Sequence, residues 1–178
     1  LFRTEDAPTE TAIEEYNWVA AAEFADSAGV DVLNTSLGYS IFDYPEMNHS
    51  FADMDGNTTV ISRGADLAAR KGMLVVCSAG NQGNKPWQYI TAPADADSVL
   101  TVGAVDSIGQ YASFSSKGPT ADGQIKPNVA AQGARTAYVT PWGTVEKGNG
   151  TSYSSPVICG LAACLWQANR DKNNMEII

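Results

Sequence analysis

Three short segments of this 178-residue sequence carry groups suited to attack on a carbonyl. In Gly148-Asn149-Gly150-Thr151-Ser152, a serine hydroxyl follows small residues at the start of a helix-like run. Small residues let a substrate come close to the backbone. A helix start offers free N–H groups and the positive end of the helix dipole, which suit a developing negative charge. In Ser78-Ala79-Gly80-Asn81, an asparagine follows an apolar strand-like run, so its amide can project from a strand end. A side-chain amide paired with a backbone N–H is how acyl transfer holds an oxyanion. Thr35-Ser36-Leu37-Gly38 follows a second such run. Taken singly these signals are weak, because Ser and Thr cap many helices and Asn is a common turn residue.

The elements that must position these segments read as an alternation of helix and strand. A helix is expected over about residues 11–28, with Ile13, Tyr16, Ala20 and Phe24 on one face and Gly29 at its end. Strands follow at Val30–Asn34, Met73–Cys77 and Ser98–Val105, with shorter ones near Lys126–Ala131 and Ala137–Thr140. Between the first two strands lie a turn-rich loop from Tyr39 to Gly56 and a helix marked by Ile61, Ala65 and Ala68. The last helix runs from about Thr151 to Ala168, with Val157, Leu161 and Leu165 on one face; Pro156 is expected in its first turn, where a missing N–H costs little. This order predicts an α/β fold, a parallel sheet with helices on both faces. Ligands of such sheets bind beyond the carboxyl ends of the strands, where all three segments fall.

Composition narrows the function classes. Hydrophobic residues make up 44% and charged residues 17%, a globular balance. A net charge of −9 argues against nucleic-acid binding. Twelve of the twenty acids lie in residues 1–60 against one base, Arg3, which reads as a solvated acidic face. The longest apolar run, Met73–Cys77, is far short of the ~20 residues of a membrane span. Cys77, Cys159 and Cys164 form neither a disulfide framework nor a zinc signature.

Together the segments are similar to the subtilisin-like serine peptidases. Gly148-Asn149-Gly150-Thr151-Ser152-Tyr153-Ser154-Ser155-Pro156 resembles the nucleophile motif of that family, and Ser78–Asn81 its oxyanion asparagine segment. Asn34–Gly38 resembles its substrate-binding strand, Phe114–Pro119 its FSS-x-GP turn and Val102–Val105 its central strand. The resemblance implies a subtilisin-like fold truncated at the N-terminal side, with residues 1–178 as the C-terminal portion of one peptidase domain. It implies that Ser152 is the nucleophile and that Asn81 and the Ser152 N–H form the oxyanion hole. It further implies that Ser36, Leu37 and Gly38 pair with an extended peptide and that Ser78, Ala79 and Gly80 form the opposite wall of the pocket for the residue before the cut. Ala92-Pro93 matches a position where the family often has a cis peptide bond.

Two positions depart from the family pattern. The only histidine, His49, lacks the family's histidine context and reads as a surface loop residue. The segments that carry the family's catalytic Asp and His are not found, so the chain alone is expected to be inactive and to need the missing N-terminal part of its domain. Asn128 stands where many relatives carry Asp, so no metal site is carried over, and no cofactor is expected. The expected substrate is a peptide or protein, and the resemblance implies a secreted or periplasmic location. The alternatives are a non-catalytic relative that binds extended peptides and an unrelated α/β small-molecule binder. The first strand is expected to be an unprotected sheet edge.

Overall fold

The computed structural model describes residues 1–6 and 8–178. Strands β1 (Val32–Thr35), β2 (Leu74–Ser78), β3 (Leu100–Val105) and β4 (Val129–Gln132) form one parallel sheet in the order β1-β2-β3-β4. Register is regular, with Leu33 beside Val75 and Asn34 beside Val76. β1 is therefore an edge, as its sequence suggests. Helices α1 (Ile13–Ser27) and α2 (Val60–Arg70) cover one face, and α3 (Thr151–Ala168) and the short α4 (Asn174–Ile177) cover the other. Alternation along β2 divides the core. Val75 and Cys77 face α1 and α2, whereas Leu74 and Val76 join Leu100, Val102 and Ala162 under α3. Burial pushes the Cys77 thiol up to about 12, so it stays a small apolar side chain.

A hairpin of β5 (Thr136–Val139) and β6 (Val145–Gly148) stands beside the sheet and leads into α3. The sequence marks only the first of these strands. Val145-Glu146-Lys147-Gly148 lacks apolar alternation and is largely exposed, so its pairing comes from the turn rather than from burial.

Two helices turn differently from their apolar patterns. In α1 the side facing the core is Glu14, Glu15, Trp18, Ala22 and Ala25, while Ile13, Tyr16 and Phe24 point outward. Trp18 wins the inner position because its ring packs in the core and its Nε1 donates to Thr35 Oγ1 (3.2 Å). In α3 the inner side begins with Thr151, Ser154 and Ser155 and continues through Ile158, Ala162 and Trp166. Val157, Leu161 and Leu165 remain 53, 63 and 48% exposed. Ile13 and Tyr16 are likewise largely exposed, and Phe24 stays 61% exposed although its ring meets that of Phe2 edge-on.

Pro156 also departs from expectation: it is the sixth residue of α3, inside the helix. It has no N–H to give to the Ser152 carbonyl four residues back. That carbonyl instead accepts a hydrogen bond from Ser36 Oγ (3.2 Å), so the gap in the helix ladder ties α3 to the end of β1.

The buried acids of α1 have specific partners. Glu15 Oε2 accepts from Ile61 N–H (3.1 Å) at the positive end of α2, and Glu15 Oε1 meets His49 Nε2 at 2.5 Å. His49 is therefore not a free surface residue. Its side chain is 18% exposed and its ring packs edge-on against Phe42, so it fastens the 39–56 loop to α1. The bond to Glu15 holds the His49 pKa above its ordinary value, against the opposite pull of burial and with help from the Asp53 and Asp95 charges. Burial, with the charges of Glu14, Glu5 and Asp43, pushes Glu10 from 4.5 up to about 7. Burial also raises Asp95, against its bonds from Ser62 and Gly56.

A group that binds its proton more tightly in the folded than in the unfolded chain favours the fold at low pH. For His49 this contribution is complete below ~6.5 and is lost as pH rises through the raised folded value. For Glu10 it fades between 4.5 and about 7. The melting temperature should thus fall by roughly 2–4 °C from about pH 5.5 to about pH 8, and His49→Gln should flatten the upper part of that slope. A melting temperature that climbs over this range would contradict these assignments.

Candidate active site

The three chemistry-bearing segments meet at the carboxyl end of the sheet. β1 delivers Ser36–Gly38, β2 delivers Ser78–Asn81, and β6 leads through Asn149 and Gly150 to the first turn of α3. Gly150 approaches Gly133 backbone to backbone, with Gly150 N–H donating to Gly133 O at 2.9 Å. A Cβ on Gly133 would stand 2.7 Å from the Gly150 carbonyl oxygen, so only glycine allows this approach.

Asn81 is fixed by its oxygen. Asn81 Oδ1 accepts from Thr151 N–H (2.9 Å) and from Thr151 Oγ1 (3.2 Å), and Gly80 N–H donates to Thr151 Oγ1 (3.2 Å). With its carbonyl committed in this way, the Asn81 amide nitrogen is left as a donor beside Gly150; it has no hydrogen-bond partner among the described residues. Ser152 follows in the first turn of α3, where helix geometry gives its N–H no intrahelical acceptor. The Asn81 amide nitrogen and the Ser152 N–H thus both lie beside Gly150, and two neighbouring N–H donors are what an oxyanion needs.

Ser152 Oγ donates to the Ser36 carbonyl at 3.0 Å, the reverse partner of the Ser36 Oγ bond to Ser152 O. Ser155 Oγ donates to Asn34 Oδ1 (2.8 Å), and Asn34 Nδ2 donates to Ser36 Oγ (3.0 Å), so the end of β1 and the start of α3 form one hydrogen-bonded unit. Thr151, Asn34 and Ser155 thus position the site, yet the sequence marks them only as parts of its motifs. No ring nitrogen bonds Ser152 among the described residues, and His49 is engaged by Glu15. The Ala92-Pro93 bond is cis, as the resemblance implies, and so are Gly118-Pro119 and Lys126-Pro127. Asn128 uses its side-chain oxygen internally, accepting from Thr101 N–H (2.8 Å) and from Lys126 Nζ (3.3 Å).

The Subtilase family model matches residues 2–177. The chain belongs to the subtilase family. Among the relatives of this subtilase chain is Subtilisin DY of Bacillus licheniformis, 36% identical over 148 residues, covering 83% of this chain and 46% of the relative. Subtilisin of Bacillus pumilus is 31% identical over 169 residues, covering 94% of this chain and 54% of the relative. Among solved structures, that of the patellamide maturation protease PatA superimposes with a TM-score of 0.71 at 28% identity, covering 91% of this chain and 55% of that one. The subtilase chain therefore spans about half the length of these relatives. No helix among the described residues is long and apolar enough to cross a membrane.

Proposed function

We propose that residues 1–178 are the C-terminal portion of one subtilase peptidase domain and that this domain is an endopeptidase acting through an acyl-enzyme. In this reading Ser152 Oγ attacks the carbonyl of an extended peptide laid along Ser36, Leu37 and Gly38. The carbonyl oxygen becomes an oxyanion held by the Ser152 N–H and the Asn81 amide. A histidine from outside residues 1–178 takes the serine proton and hands it to the leaving amine, and an aspartate orients that histidine. The C–N bond breaks, the acyl group stays on Ser152, and water then releases it. Ser78, Ala79 and Gly80 flank the residue before the cut. The intact protein is proposed to work outside the cytoplasm, secreted or periplasmic.

The observation that supports this reading is the bond from Thr151 N–H to Asn81 Oδ1, which commits the Asn81 oxygen and leaves its amide nitrogen as a donor beside Gly150. The second reading, a non-catalytic module that binds extended peptides, is favoured by the engagement of Ser152 Oγ with the Ser36 carbonyl in place of a base.

Assays of a chromogenic peptide ester separate the two readings. The full-length protein should show burst-phase acylation. The 178-residue chain alone should show no burst and at most the ~10³–10⁴-fold acceleration that an oxyanion hole and binding supply without a base. A full-length protein that binds the peptide without turnover supports the binding module, and a burst from the chain alone contradicts the need for an outside base.

A further inference from the structure

The strand proposed to pair with substrate runs on from Gly38 into a stack of rings. Tyr39 is fully buried and exchanges backbone hydrogen bonds of 2.8 and 3.1 Å with Ala92. Its ring is stacked on that of Phe42, with centroids 5.8 Å apart, and Phe42 meets the His49 ring edge-on at 5.3 Å. His49 N–H closes the turn by donating to Ser40 O at 3.0 Å. The imidazole Nε2 in turn meets Glu15 of α1, whose second oxygen is taken by the Ile61 N–H at the start of α2. Glu15 is 2% exposed, so its charge is sheltered from water and His49 is its one ionisable partner among the described residues. The other charged groups that face His49 are Asp53, from the turn at Phe51–Asp53, and Asp95, from the segment before β3. All three neighbours are acids, so each favours the protonated ring.

We propose that His49 is a positioning residue for substrate: paired with Glu15, it holds the 39–56 loop on α1 and, through Phe42 and Tyr39, sets the line of the peptide-pairing strand Ser36–Gly38. The inference rests on the peptide groove proposed above. Protonated His49 gives Glu15 a charge-assisted hydrogen bond, about twice as strong as a neutral one. Once the imidazole loses its proton, Glu15 keeps a buried charge beside a neutral ring, and the loop is held less firmly. A peptide that needs the strand in line then binds with an apparent affinity reduced by the fraction of chains that are aligned. The effect falls on peptides long enough to run along Leu37 and Gly38. It spares the chemistry, because the Ser36 carbonyl is held separately by Ser152 Oγ. Peptide affinity therefore falls as pH rises, and kcat does not follow it.

The test uses full-length protein carrying Ser152→Ala, so that binding is read without turnover. Two fluorescent peptides share the residue before the cut; one begins there, and the other continues upstream along Leu37 and Gly38. From about pH 6 to about pH 9 the Kd of the long peptide should rise about 5-fold, while that of the short one stays level. His49→Gln should hold the long peptide at its high-pH Kd throughout. Glu15→Gln should do the same, and the double variant should be no weaker than either. Glu10→Gln removes the neighbouring carboxyl that is raised to about 7, and it should leave the slope intact. With Ser152 restored, His49→Gln should raise KM for the long peptide at about pH 6 by the same factor and leave kcat alone. A long-peptide Kd that stays level across this range overturns the inference, whether or not His49→Gln folds, and so does a slope that survives His49→Gln. If neither peptide is bound at any pH, the groove reading falls and this inference falls with it.

Discussion

Alanine in place of Ser152 should lower kcat of the full-length protein by roughly 10⁶-fold, the scale known for loss of the nucleophile from subtilisin itself. Asn81 should matter less, but its replacement is more informative. In subtilisin, removing one oxyanion donor costs about 10²–10³ in kcat. Here Asn81→Ala would also strip the acceptor from the buried Thr151 N–H and so cost stability. Asn81→Asp keeps an oxygen for that N–H while replacing the donor with a negative charge facing the oxyanion. It should therefore lower kcat at least as far as Asn81→Ala with KM little changed, the pattern of an interaction made only in the transition state. Its melting temperature should stay closer to that of the unmodified protein. An Asn81→Asp protein with undiminished kcat would remove Asn81 from the oxyanion hole.

The second large effect concerns the chain by itself. β1 has a neighbour on one side only, so its outer N–H and C=O groups face a groove of about 700 Å³ between residues 1–5 and the strand. Val32 and Leu33 line that groove, and no Pro or Lys guards the strand. The apolar stripes Val157, Leu161, Leu165 and Ile13, Tyr16, Phe24 add exposed surface of the kind that drives association. The isolated 178-residue chain should self-associate on concentration, despite the repulsion of its net −9 charge, and adding the rest of the domain should reverse this. Sedimentation across a dilution series measures it. A monodisperse monomer at high concentration with a cooperative melt would show that this chain is a complete folding unit.

What could be read from the sequence follows from what each element packs against. Val75 and Cys77 sit in a strand buried on both faces, and such a strand declares itself as an apolar run wherever it lies. The same holds for the segments of Ser36, Asn81 and Ser152, since strand ends and a helix start place them at one end of the sheet without further information. The faces of α1 and α3 could not be read, because Ile13, Tyr16 and Phe24 in the one and Val157, Leu161 and Leu165 in the other make apolar stripes on the sides away from the sheet. Glu14 and Glu15 defeat a hydrophobic pattern in a different way. They are each 2% exposed, held inside by the Asp6 and Ile61 N–H groups and by His49. His49 reads as a free surface residue of its loop because its partner, Glu15, lies on another element.

The proposed nucleophile of the acyl-enzyme reaction is Ser152, assisted by the Asn81 amide. The most direct measurement is covalent labelling of the full-length protein with a peptidyl phosphonate, followed by mass spectrometry of the modified peptide. One phosphonate per chain is expected, on Ser152, with labelling lost in Ser152→Ala and slowed in Asn81→Asp. Cleavage of peptide substrate that persists in Ser152→Ala, or a label on any other residue, would contradict it.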